Sequence, residues 1–279
     1  MPYNSLRDFM QRLETEGRLV RVSAPVSTHL EMTEIQTRLL AEGGPAVLFE
    51  NVTNAAGEPA NMPVLVNLFG TVERVAWGME REPHELREVG ETLAFLRQPE
   101  PPGGWRDALN MLPMVKTVMA MKPKTVASGP CQEIVLTGDD IDLARLPIQT
   151  CWPGEPAPLI TWPLVVTQGP NPDGDRADAY NLGVYRMQVT GRDTTLMRWL
   201  KHRGGAQQHA RWKANREDSF PAAVVIGADP GAILAAVTPV PDTVSEYQFA
   251  GLLRGAKVEL VDCKTVPLKV PAHAEIVLE

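Results

Sequence analysis

Asn181, His202 and Glu246 supply one amide oxygen, one imidazole and one carboxylate. A mixed oxygen and nitrogen set of this kind suits Mn2+ or Mg2+, above all when a phosphate fills the remaining coordination positions. A divalent cation would offset the Glu246 charge and part of a phosphate dianion, leaving the rest to nearby arginines. Such arginines exist: "MRWLKHRGG" places Arg198, Lys201, His202 and Arg203 within six positions, beside Gly204 and Gly205. Guanidinium and backbone N–H groups together favour a phosphate, and glycine lets a ligand approach the main chain closely. The competing reading is a solvated loop carrying a surface histidine, because the three candidate ligands lie far apart in the chain. No Walker A or G-x-G-x-x-G pattern is present, so this is not a common nucleotide fingerprint.

Arg186 lies in the apolar run "LGVYRMQV", which reads as a strand. A cation buried there needs a partner, since burying an unpaired charge is costly. The partner is either a structural carboxylate or a substrate carboxylate, which guanidinium grips with two parallel hydrogen bonds. Asn181 and Arg186 are five residues apart and face opposite sides of a regular strand. One site can use both only if a ligand wraps past the strand or Gly183 introduces a bulge. Glu246 follows the turn "TPVPDTVS", stiffened by two prolines. The alternative for Glu246 is an acidic helix N-terminus capped by Asp242 or Ser245. His29, His84, His209 and His273 form no usable arrangement, "GDDID" reads as a structural turn, and "CWPGEPAPLITWP" as a packed loop. No Ser-His-Asp or Cys-His arrangement stands out.

The elements that must position these groups fall into two stretches. Leu6, Phe9, Met10 and Leu13 recur at helical spacing, with Gly17 where a C-cap belongs. Residues 30–44 repeat the pattern and end on Gly43 and Gly44. "AVLFENV" and "PVLVNLFG" read as strands, and "TVERVAWGM" and "HELREVGETLAFLRQ" as helices. "PEPPGGW" (99–105) is a compositional break before a further helix, "WRDALNMLPMVKTVMAMKP", bent at Pro113. From "CQEIVLTGDDIDLARLPI" onward the chain reads as strands between turns. "TGRD" joins "NLGVYRMQV" to "TTLMRWLKH" as a hairpin, "PNPDGDRAD" is a loop, and "AAVVIGADPGAILAAV" is a strand, a turn and a short helix. The expected fold is α+β, with residues 1–120 a mixed α/β domain and 121–279 a barrel-like or sandwich domain of short antiparallel strands.

The chain has 279 residues, enough for one or two domains, with 44% hydrophobic and 22% charged residues. Its formal net charge of −7 argues against a general nucleic-acid binder but leaves room for a local anion site. Three widely spaced cysteines, Cys131, Cys151 and Cys263, signal neither a zinc site nor a disulfide framework, and fit a reducing, cytoplasmic compartment. The N-terminus lacks the apolar core of a signal peptide, and no run of about eighteen apolar residues occurs. The final strand "AEIVLE" runs to Glu279 with no polar tail, which suggests a sequence that continues.

Taken in order, "NLGVYRMQV", "MRWLKHRGG", "GADPGAILAAVTPVPDTVSEYQFAGLLRG" and "VPAHAEIVLE" resemble the UbiD family of prenylated-flavin-dependent decarboxylases. "TCWPGEPAPLITWPLVVTQGP" is similar to its bacterial ubiquinone-pathway branch, which acts on 4-hydroxy-3-polyprenylbenzoate. The resemblance implies an N-terminal α/β domain followed by a split β-barrel that binds the flavin. It implies that Asn181, His202 and Glu246 are metal ligands, that Mn2+ ties down the cofactor phosphate, and that K+ sits beside it near the carbonyls of Ala235, Ala236 and Thr238. Val184, Tyr185, Arg186, Arg198, Trp199, Leu200, Arg203 and Gly204 match the segments that contact prenylated FMN, and Arg186 joins the acid/base network at the substrate carboxylate.

The implied reaction converts 4-hydroxy-3-polyprenylbenzoate to 2-polyprenylphenol, with a flavin prenyltransferase supplying the cofactor. Homo-oligomers are implied for the full-length protein. A lipid-borne substrate implies peripheral contact at the inner face of the cell membrane, although no basic amphipathic helix announces it. The family continues into a motif E-G-P-[FY]-G-[DE], whose acids complete the catalytic set. This sequence ends before it, so the expectation is a cofactor seat with the arginine but without the acid. The rivals are a non-catalytic flavin or phosphate-binding module and a split-barrel flavin oxidoreductase.

Overall fold

Ser5 starts the first helix. Its hydroxyl accepts from the Asp8 N–H while the Asp8 carboxylate accepts from the Ser5 amide, so two otherwise unpaired donors are satisfied at once. In the computed structural model, which describes residues 2–97, 119–170, 180–216, 218–241 and 244–279, this helix, α1 (Leu6–Thr15), buries Phe9 and Leu13. Gly17 follows at φ 65°, a conformation that costs glycine little. The chain then forms β1 (Leu19–Val22), β2 (Val26–Ser27), α2 (Glu31–Ala41), β3 (Ala46–Phe49), β4 (Val52–Thr53), β5 (Pro59–Ala60), β6 (Val64–Val66), α3 (Val72–Gly78) and α4 (Leu86–Arg97). Sheet order is β1-β3-β6, with a small second sheet β2-β4-β5. Strand β3 is buried on both faces. Ala46 and Leu48 pack with Phe9, Leu13 and Trp77, while Val47 and Phe49 pack with Val26, Met32 and Val66. That split is the period of two expected of a strand.

The second half contains β7 (Lys124–Thr125), β8 (Leu159–Ile160), β9 (Leu164–Gln168), β10 (Tyr180–Val184), β11 (Met187–Val189) and β12 (Thr195–Met197). These are followed by α5 (Gly204–Asn215), β13 (Ala222–Ile226), α6 (Pro230–Ala235), α7 (Glu246–Arg254), β14 (Glu259–Asp262), β15 (Lys269–Pro271) and β16 (Ile276–Leu278). An antiparallel sheet of order β10-β9-β13-β16 forms the centre. One face, with Leu164, Val166, Leu182 and Val225, packs on α6 and α7 through Ile233, Phe249 and Leu253. The other, with Val165 and Val224, meets Ile160 and Met187 of the sheet β12-β11-β8. The fold is mixed α+β, and among the described residues its sheets are small and none closes into a barrel.

Two chain segments run through both of these sheets. Val184 pairs with Leu164, whereas Met187 pairs with Ile160, so residues 161–163 oppose only 185 and 186. This three-against-two mismatch is a bulge. It lies after Gly183 rather than at it, and divides the run read as one strand into β10 and β11.

Three further expectations are corrected. The stretch from Cys131 to Ile148 forms 3-10 turns at Pro130–Gln132, Gly138–Asp140 and Leu143–Arg145, not strands. Its amides close short local turns, such as Glu133 N–H to Pro130 O, and Ile134 is left 80% exposed. The run "TTLMRWLKH" is strand only over β12. Residues 204–215, which fall in the stretch read as strands between turns, are helix α5. The break at 99–105, most of the helix bent at Pro113 and most of the loop 170–178 lie outside the described residues.

A buried ion pair joins the ends of two helices. Asp229 caps α6 by accepting from the Ala232 N–H and lies 3.5 Å from Arg254, at the end of α7. Arg254 also donates to the Asn4 side chain, so the N-terminal segment is tied to the second half. Burial raises the Asp229 carboxyl above its ordinary range, and Arg254 opposes that rise.

Candidate functional site

Glu246 is the first residue of α7. The Ser245 hydroxyl caps that helix by accepting from Gln248 N–H, and the Gln248 side chain accepts from the Ser245 amide. Ser245 therefore fills the capping role anticipated for this stretch, and the cap fixes the start of the helix from which Glu246 projects. The Glu246 carboxylate accepts from the Leu182 N–H at 2.9 Å, on β10, an outer strand of the central sheet. Burial pushes its carboxyl up to about 7, against the lowering effect of the Leu182 hydrogen bond. Among the described residues no Lys, Arg or His pairs with it. A buried carboxylate with backbone amides as its donors and no countercharge among the described residues suits a cation.

Asn181 neighbours that contact on β10. Its amide donates to Thr167 Oγ1 at 3.4 Å, and Thr167 Oγ1 donates to Gln208 Oε1 of α5 at 2.7 Å. The start of α5 comes against the Asn181 oxygen so closely that a Cβ built on Gly204 would lie 1.9 Å from Oδ1. A Cβ built on Gly205 would lie 3.1 Å from the nearest atom of the Trp199 indole, and the Gly205 N–H donates to the Tyr185 hydroxyl at 3.3 Å. The glycine pair thus admits protein side chains close to the main chain. Thr167 and Gln208 were missed from sequence; the available signal was a threonine directly after the apolar run "LVV" (164–166), and Thr167 proves fully buried.

The Glu246 carboxylate reaches β10 at Leu182, the residue after Asn181, and Gly204 is set against Asn181. His202 lies two residues before α5. It is exposed, and its carbonyl accepts from the Gln207 side chain. Arg198, Leu200, Lys201 and Arg203 are exposed as well. None of these cations has an acidic partner among the described residues. They stand just ahead of the N-terminus of α5, whose dipole adds to their field. Trp199 is half-buried, and its Nε1 is buried without an acceptor among the described residues. Val184 and Tyr185 are half-buried at the bulge.

Arg186 is not buried within a strand. It is exposed at the bulge, so no desolvation demands a structural carboxylate, and none pairs with it among the described residues. Its guanidinium lies 5.7 Å from the ring centroid of Trp152, itself 51% exposed. Trp152 was read from sequence as part of a packed loop.

The described residues contain no cluster of three His, Cys, Asp or Glu side chains able to hold a metal. The carbonyls of Ala235 and Thr238 accept from Thr238 and Val240 N–H, closing the turn after α6.

Comparison with known proteins bears on this arrangement. Residues 10–93 match the 3-octaprenyl-4-hydroxybenzoate carboxy-lyase N-terminal domain, and residues 124–279 the Rift-related domain of the same family. Among solved structures, the vanillic acid decarboxylase of Sedimentibacter hydroxybenzoicus in closed form superposes with TM-score 0.80 at 26% identity, over 99% of this chain and 54% of that one. The UbiD-class enzyme HmfF of Pelotomaculum thermopropionicum, in an evolved dimeric form in complex with prFMN, gives 0.76 at 27%, over 99% and 56%. The apo 3,4-dihydroxybenzoic acid decarboxylase of Klebsiella pneumoniae gives 0.76 at 26%, over 98% and 53%. The chain spans about half the length of these relatives. With both family domains matched in order, the chain belongs to the UbiD family of carboxy-lyases.

Proposed function

We propose that this chain forms the prenylated-FMN seat of an aromatic-acid decarboxylase. The observation that carries the reading is Glu246, a buried carboxylate with no countercharge among the described residues, held on the Leu182 N–H next to Asn181 in the chain. Support also comes from relatives named for prFMN and for vanillic and 3,4-dihydroxybenzoic acids. Asn181, Glu246 and His202 would hold Mn2+, and Arg198 and Arg203 would neutralise the cofactor phosphate. K+ would lie near Ala235, Ala236 and Thr238. Val184, Tyr185, Trp199, Leu200 and Gly204 would line the flavin, within a domain from residue 121 that the whole protein completes as a split barrel.

Bound there, the modified flavin supplies an electron sink. Arg186 grips the substrate carboxylate and orients the aryl acid until CO2 departs. An acid must then return a proton to the ring carbon. Glu279 does not suit that task. Burial raises its pKa, but hydrogen bonds from Lys264 and Thr265 N–H and the Thr265 hydroxyl outweigh burial and hold it below the usual carboxylate range. This favours a second reading for the isolated chain, a flavin-binding module that the rest of the protein completes. The substrate we assign is 4-hydroxy-3-polyprenylbenzoate, decarboxylated in ubiquinone biosynthesis, with a flavin prenyltransferase as supplier and homo-oligomers in the whole protein. No helix among the described residues is long and apolar enough to cross a membrane, and we assign a cytoplasmic site with peripheral membrane contact.

The test is to incubate the chain with prenylated FMN, Mn2+ and a 4-hydroxybenzoate bearing a short prenyl chain. Mn2+-dependent cofactor retention with CO2 release is the expected result for the decarboxylase, and retention without release for the module. Cofactor affinity indifferent to chelator would refute the metal-anchored seat. Flavin reduction by a nicotinamide would favour an oxidoreductase.

A further inference from the structure

Arg186 differs from most exposed arginines of the first half in what stands beside it, and shares an indole neighbour with Arg216, which lies 4.2 Å from the Trp212 ring centroid. Arg7, Arg18, Arg21, Arg38 and Arg87 each meet a glutamate. Arg186 meets an indole. The difference has a chemical consequence: a glutamate would occupy the in-plane N–H donors, whereas an aromatic face attracts the cation through its quadrupole and leaves those donors available.

The backbone that carries the indole is tied down at three places. Thr150 N–H donates to Thr28 O at 3.0 Å and Leu30 N–H to Thr150 O at 2.9 Å, so the residues before Trp152 are tied to the N-terminal half. Leu159 N–H donates to Gln149 O, and β8, which starts there, pairs with β11 from the residue after Arg186. Between these ties, the Glu155 carboxylate accepts from the Cys151 N–H at 2.7 Å, and Glu155 N–H donates to Trp152 O at 3.2 Å. The loop is therefore fixed at both ends and across its turn, although the indole itself is half in solvent.

We propose that Trp152 is a positioning residue for Arg186, holding its guanidinium ready for an aryl carboxylate. This rests on the reading of Arg186 as the carboxylate grip. A long side chain ordered beforehand loses less freedom when the ligand arrives, so the aromatic contact is read out as affinity for the carboxylate.

The experiment titrates the 279-residue chain with 4-hydroxybenzoate and, as the control lacking the carboxylate, phenol, using ligand-observed NMR. FMN titration of each variant checks that the flavin seat is intact. Wild type should prefer 4-hydroxybenzoate and Arg186→Ala should lose the preference. Trp152→Leu should weaken 4-hydroxybenzoate about two- to fivefold while leaving phenol and FMN unchanged. Trp152→Phe, which keeps an aromatic face, should recover most of the loss. If wild type prefers the carboxylate and Arg186→Ala abolishes the preference, yet Trp152→Leu binds as wild type, the positioning role is overturned and the grip stands. The role also falls if Phe rescues no better than Leu. If wild type shows no preference, the grip itself fails and the inference falls with it.

Discussion

Replacing Glu246 with glutamine should stabilise the metal-free chain at pH 8 and change it little at pH 5. The Glu246 carboxyl titrates at about 7 in the fold against an ordinary value of 4.5. Between those values the folded chain keeps a proton that the unfolded chain releases, so stability falls as pH rises through the window and levels off above it. The interval of 2.5 units corresponds to about 3 kcal/mol lost by pH 8 and under about 1 kcal/mol at pH 5. Glutamine carries no charge to desolvate and its oxygen can still accept from Leu182 N–H, but its NH2 group needs a partner. A net gain of about 1–3 kcal/mol at pH 8 is therefore expected. The assay is urea unfolding in EDTA at both pH values, for wild type and Glu246→Gln. Adding Mn2+ at pH 8 should reverse the order, stabilising wild type more than the variant. An equal difference at pH 5 and pH 8, or a variant less stable at pH 8, would show that Glu246 is not a strained, uncompensated anion.

Three further outcomes follow from the packing. Gly204→Ala should displace the Asn181 side chain, because the new Cβ would fall 1.9 Å from its oxygen, and Mn2+-dependent FMN retention should drop at least tenfold while the chain stays folded by circular dichroism. Arg254→Met should cost about 3–5 kcal/mol in urea unfolding by leaving Asp229 charged and alone, and Asp229→Asn in the same chain should restore part of it. Cys263, which burial and then the Glu279 carboxylate push up to about 12, should resist iodoacetamide at pH 8 in the native chain, about a thousandfold more slowly than after unfolding; mass spectrometry of the alkylated peptides reads the ratio.

Legibility from sequence followed the strength of local periodicity. Helix α1 announces itself through Leu6, Phe9 and Leu13 and the Ser5 cap, and β3 through four successive buried apolar residues. Helix α5 was missed because "GGAQQHARWKAN" has no apolar stripe; Gln208 and Trp212 are buried in it, and its two opening glycines imitate a turn. Ile134, Val135 and Leu136 misled in the opposite way, as β-branched and apolar residues that no neighbouring strand pairs. In the site, residue types pointed to Asn181 and Glu246. The Thr167–Gln208 link beneath Asn181 and the Trp152 shelf beneath Arg186 depend on tertiary register, which no short stretch encodes. The exposure of Arg186 was illegible, since the apolar residues on either side conceal the bulge between β10 and β11.

That bulge has a mechanical consequence. The segments 159–168 and 180–189 are threaded through both the central sheet and the smaller one, so neither sheet can tilt without bending these two ribbons. The unpaired residues 161–163, 185 and 186 form the only crease along their shared length where bending breaks no rung of either ladder. Arg186 sits on the crease. A few degrees of fold there would re-aim the guanidinium while Asn181, back among the paired rungs of β10 and β9, keeps its place.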